Sequence, residues 1–207
     1  MRAFVHRRGR YIAELDTTER SILGGVVGDA IKLLGATVSE QEQETEPAPS
    51  GPPRSAQDML AELDQEVPEP TDPALARLFP SASPDDPELS AEFRRLTQRD
   101  LQDQKVQGLR MVWAALSLPG TKLTVDPDDA MTWAAALTDV RLILSSRLGI
   151  ETDADAEEIY ALSAAADASG SEDELRLAMA SVYSAFTWLQ ESLVQVMLPT
   201  LGAPDTY

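Results

Sequence analysis

The sequence predicts a mainly α-helical, bundle-like domain with a small N-terminal β-hairpin, and three observations carry that reading. Asp72-Pro73, Asp86-Pro87 and Asp126-Pro127 each set a capping acceptor before a proline, the arrangement that opens helices. The stretches that follow repeat apolar residues at helical spacing and stop at proline or glycine. Strand-like alternation is confined to two short places, around Arg8-Gly9 and in "TKLTV".

Taken in order, "FVHRRGRYIAEL" reads as the hairpin, with Phe4, Val5, Tyr11 and Ile12 in strands and Arg8-Gly9 at the turn. Its tip carries Arg7, Arg8 and Arg10, which could contact an anion or nucleic acid. A solvated turn is the preferred reading, because no aromatic side chains interleave the charges. Asp16-Thr17-Thr18-Glu19 is a capping box, and a helix should follow to Leu34 with Ile22, Val26, Val27 and Ile31 inward. Gly24, Gly25 and Gly28 weaken that helix and suit a close helix contact. "GGVVGD" lacks the GK[ST] of a phosphate loop.

The single domain is expected to comprise residues 1–35 and 72–200, with 36–71 an acidic disordered linker and 201–207 a tail. The linker "SEQEQETEPAPSGPP" is polar and proline-rich, and "DMLAELDQE" has the pattern of a short transient helix. The first Asp-Pro pair should open a turn or two up to Pro80, and the second a long helix over 87–118 closed by Pro119-Gly120. After a short strand at Thr121–Val125, the third pair should open a helix over 127–148, ended by Gly149. A short helix near 153, an Ala/Ser/Gly loop and a last helix from the Ser171-x-x-Glu174 box to Leu198, before Pro199, complete the chain. Trp113, Trp133 and Trp188 sit at helical spacing and are expected in the core.

Composition excludes several chemistries. No cysteine occurs among the 207 residues, so disulfides, thiolate metal sites and thiol redox sensing are ruled out. The one histidine, His6, cannot build a His-based metal site or triad. With 35 acidic and 17 basic residues, the net charge of −18 repels phosphate, which disfavours direct nucleic-acid binding. No apolar run reaches the roughly 18 residues of a membrane span. A cytoplasmic, non-enzymatic protein without cofactor is expected, with its oligomeric state open.

The charge is uneven. Segments 36–72 and 151–207 hold 21 acids and two bases, whereas 73–150 hold ten acids and nine bases. A balanced middle is what internal ion pairing needs. In "DVRLILSSRLGI", at roughly 100° per residue, Arg141 lies within the stripe Ala134, Leu137, Leu144 and Leu148. Asp139 points nearly opposite, and Arg147 lies two turns, about 12 Å, from Asp139. Each charge therefore needs an outside partner. Glu92, inside the stripe of Leu89, Phe93 and Leu96, is the expected partner of Arg141, with Arg94, Arg95 or Arg99 available to Asp139. Glu92, Arg94, Asp139, Arg141 and Arg147 thus form a candidate polar network, read first as structural and second as a small-anion or enzymatic site.

"DPALARLFPSASPDDPELSAEFRRLT", "WAAALTDVRLILSSRLGI" and "YSAFTWLQESLVQVM" together resemble an actinobacterial domain-of-unknown-function family that includes the oxidative-stress-sensing regulator AosR. The resemblance extends to the N-terminal "F…RRG…L" segment and covers nearly the whole chain apart from the linker and the 151–172 loop. Matching positions include Asp72, Pro73, Arg77, Pro80, Glu92, Phe93, Arg94, Trp133, Asp139, Arg141, Arg147, Gly149 and Trp188. The resemblance implies a stress-response regulator of transcription that engages a protein partner such as a sigma factor or another transcription component. The characterised member's Cys-x-x-x-Cys switch has no counterpart here, so thiol sensing does not carry over.

Overall fold

The computed structural model describes residues 1–38, 67–164 and 171–201. Most of the expected linker, with its short helix, lies outside the described residues, as do the loop at 165–170 and the tail beyond 201. The side chain of Ser171, which opens the last capping box, is likewise outside them.

Strands β1 (Arg2–Arg7) and β2 (Arg10–Glu14) form the hairpin, and β3 (Lys122–Val125) joins β2 to give an antiparallel sheet ordered β1-β2-β3. The turn places Arg8 and Gly9 at positive φ, 54° and 74°. Glycine takes that conformation without strain, and single non-glycine residues tolerate it in tight turns. Period-two alternation buries Tyr11 and Ala13 of β2, and Leu123 and Val125 of β3, on one face.

Six helices are described: α1 (Thr17–Leu33), α2 (Pro73–Leu78), α3 (Pro87–Ser117), α4 (Ala130–Leu148), α5 (Asp153–Ala164) and α6 (Ser171–Leu201). The fold is mainly α, as the sequence predicts. The Asp16–Glu19 capping box is complete, with each side chain bound to the other's backbone N–H at 2.8 Å. Asp72 and Asp86 cap α2 and α3. Asp126 departs from the expectation. Its carboxylate makes no cap hydrogen bond, a short 3-10 turn (Pro127–Asp129) precedes α4, and Arg10 takes the carboxylate at 3.1 Å. Gly149 ends α4 in the left-handed region as expected, whereas α6 runs through Pro199 instead of stopping before it.

The core lies where α1, α3, α4 and α6 meet against the sheet. On α1, Leu23, Val27, Ala30 and Ile31 are buried, while Ile22 is half exposed, so the inward face is rotated from the expected one. Gly24 and Gly28 of α1 lie on the face that meets α3. A Cβ at Gly24 would stand 3.7 Å from Leu116 Cβ, and one at Gly28 would stand 3.6 Å from Trp113 Nε1, which is where α3 packs. Of the three tryptophans, Trp133 is buried, Trp113 is part-buried and Trp188 is exposed. The expected core role holds fully only for Trp133.

Candidate functional site

Arginines on three helices fasten backbone carbonyls. Arg20 of α1 is buried and donates to Leu116 O (3.1 Å), Lys122 O (3.2 Å) and Ala115 O, so it caps the end of α3 and holds β3. Arg77 of α2 donates to Ile150 O (2.7 Å), beyond the end of α4, and to Ser145 Oγ (2.8 Å) within its last turn. Arg110 of α3 donates twice to Thr37 O, at 3.0 and 2.8 Å. A guanidinium supplies five donors in a fixed fork, which suits the orphan carbonyls near helix ends.

The expected Glu92–Arg141 pair does not form. Glu92 binds Arg95 one turn along its own exposed helix surface, at 2.7 and 3.0 Å, and that contact holds its carboxyl below the ordinary range. The sequence pattern put Glu92 inside an apolar stripe, but the stripe itself is not buried: Leu89, Phe93 and Leu96 are 56%, 54% and 56% exposed. With no helix among the described residues packed over that stripe, Glu92 stays on the exposed surface and does not meet Arg141.

Arg141 instead donates to Gln190 Oε1 of α6 at 2.5 Å and lies over the Tyr183 ring, 5.7 Å from its centroid. The Gln190 amide nitrogen donates back to Ala134 O (2.9 Å) and Thr138 Oγ1 (2.5 Å). One glutamine thus clips α6 to α4. The guanidinium Nε of Arg141 is buried and has no hydrogen-bond partner among the described residues.

Asp139 pairs with Lys105 of α3, Nζ to Oδ1 at 2.6 Å, rather than with an arginine from 94–99. Both side chains are nearly enclosed, at 7% and 16% exposed. Burial pushes the Asp139 carboxyl above its usual range, and the Lys105 ammonium opposes that rise only in part. Arg147 pairs with Asp72 at 2.6 Å, and this hydrogen bond is the main reason the Asp72 carboxyl is held low. Arg94 reaches Glu69 at 3.7 Å. At the hairpin, Arg10 is paired with Asp126, while Arg7 and Arg8 are exposed.

The five expected residues therefore serve separate fastenings and do not form one network. Lys105 and Gln190 are the partners that sequence reasoning missed, although a signal existed. Lys105 falls in the series Leu101, Lys105, Leu109, Val112, and Gln190 follows Phe186 at the same spacing. Among the described residues no group of three or more His, Asp or Glu side chains could hold a metal ion, and no helix is long and apolar enough to cross a membrane.

A family model described as Domain of unknown function (DUF2017) matches residues 1–197. The chain belongs to this family. No curated protein and no solved structure matches it. In this DUF2017 chain the matched span includes every fastening described above.

Proposed function

We propose that the protein is a non-enzymatic regulatory protein that acts by binding another protein through the N-terminal half of α3. The carrying observation is the exposed stripe Leu89, Phe93 and Leu96. Large apolar side chains set at spacings of four and three on one helix face are the usual anchors of a helix that lies in a partner's groove. Asp85, Asp86, Glu88 and Glu92 flank the first two turns, and the whole chain carries −18. A partner whose apolar groove is rimmed by basic residues fits that surface, and opposite charge would speed the encounter. The resemblance to an actinobacterial stress regulator supports a sigma factor or other transcription component as the partner class, without thiol sensing. A cytoplasmic setting follows from the same reading.

Binding of purified alternative sigma factors and of other proteins captured from an actinobacterial lysate tests this. Each candidate should bind the parent chain in calorimetry and lose at least about tenfold in affinity to Leu89→Glu/Phe93→Glu/Leu96→Glu. Ile22→Glu, at an exposed apolar position on α1, should bind like the parent. A partner held equally well by the triple variant, or no partner at low salt, would refute the proposal.

A further inference from the structure

Between α3 and α4 runs a groove of about 490 Å³ that the fastening of the core does not require. It exists because small residues line the crossing. A Cβ at Gly108 would stand 3.4 Å from Thr132 Cγ2 and 3.5 Å from Ala136 Cβ, so the helices approach closely there. Beyond the crossing Ala135 is too short to close the gap. Leu101 and Met111 supply apolar wall, and the buried Lys105–Asp139 pair lines the same space. The volume falls within the range of small-molecule sites.

The pair is only partly satisfied. Asp139 is 5% exposed, its single side-chain partner among the described residues is Lys105 through Oδ1, and Oδ2 accepts nothing from those residues. An ammonium has three protons, and Lys105 spends one on Asp139. The groove therefore offers an acceptor beside a donor, and the two charges sum to zero. A charged ligand would bring an unmatched charge into a partly desolvated place, which is costly. A neutral group with N–H on the same side as C=O avoids that cost. Its N–H can donate to Asp139 Oδ2 while its carbonyl accepts from Lys105. Ordinary trans amides point these groups apart, whereas a primary carboxamide, a lactam or the matching edge of a heterocycle points them together.

We propose that the α3–α4 groove is a binding site for a small neutral ligand with an apolar body and a cis-amide edge, held by Asp139 Oδ2 and Lys105 Nζ. The site is independent of the α3 stripe.

Titration of the ¹⁵N-labelled chain with the bicyclic lactam isoquinolin-1(2H)-one tests it. Backbone signals of Gly108 and Ala136 should shift and saturate with a dissociation constant on the order of 1 mM, as suits so small a probe. The similarly sized 1-naphthoate and 1-naphthylmethylammonium should bind at least about tenfold more weakly. Two variants act independently: Ala135→Trp fills the groove from an exposed position, and Lys105→Met/Asp139→Leu removes the polar edge while keeping bulk. Each should weaken the lactam by about tenfold or more. Absence of shifts at the groove up to about 10 mM, equal binding of either charged probe, or parent-like binding by either folded variant would overturn the proposal.

Discussion

The two halves of α3 are continuous in backbone and opposite in environment. From Pro87 to Lys105 one residue, Ser90, is buried, and Leu89, Phe93 and Leu96 face outward. From Val106 to Leu116 the helix buries Val106, Gly108, Leu109, Val112 and Leu116. Helices in proteins draw most of their stability from packing an amphipathic face. The C-terminal half does so within the chain. The N-terminal half carries an equivalent apolar face without a covering element among the described residues. One helix can thus be core at one end and a presented surface at the other, and periodicity alone does not distinguish the two.

Lys105 marks the boundary, and removing its charge should have the largest effect. Lys105→Met leaves Asp139 buried without its counter-charge, a loss on the order of 3–5 kcal/mol in denaturant unfolding at pH 7. Lys105→Met/Asp139→Leu should recover most of that loss. If the single variant is as stable as the parent, the pair does not secure the crossing of α3 and α4.

Equal truncations on the two halves sharpen the contrast. Leu109 is fully buried, so Leu109→Ala should cost about 2–5 kcal/mol. Leu96→Ala should change stability by no more than about 0.5 kcal/mol. Comparable losses at both sites would mean that the N-terminal half is packed in solution.

A loss smaller than either buried-site loss concerns α2, whose following loop reaches α3 through Ser90: Ser83 N donates to Ser90 Oγ at 3.0 Å. Asp72 caps α2 and binds Arg147, so Asp72→Ala should cost roughly 1 kcal/mol at neutral pH. Its folded-state carboxyl is held below the unfolded value, so the folded chain binds that proton more weakly. The stabilisation is therefore full above about pH 4 and is lost as pH falls through the lowered folded pKa. Parent and variant stabilities should converge in acid. A difference that does not shrink at all as pH falls below about 4 would show that the carboxylate's charge is not what stabilises.

Local chemistry was legible in the residues. The Asp16–Glu19 box, the caps at Asp72 and Asp86, the Arg8-Gly9 turn and the Gly149 stop each depend on neighbours within a few positions, and the structure contains them all. Asp126 failed as a cap because a competing partner, Arg10, arrives from 116 residues away in sequence. The same difficulty governed the polar residues. Helical spacing showed that Asp139 and Arg141 face different ways and need separate partners, which holds. Which partner each meets depends on which helix packs across it, and Lys105 and Gln190 were as available in the pattern as Glu92.

By itself, then, the sequence determined the class of the fold, the start and stop of most elements and the absence of cysteine chemistry, since these follow from backbone preference and composition. Tertiary structure decided which apolar stripes are core, which carboxylate meets which cation, and where small residues leave a groove. Those outcomes depend on helix rotation and crossing, where Gly24, Gly28 and Gly108 lie against their neighbours. A periodic pattern specifies a face, and only packing decides what covers it.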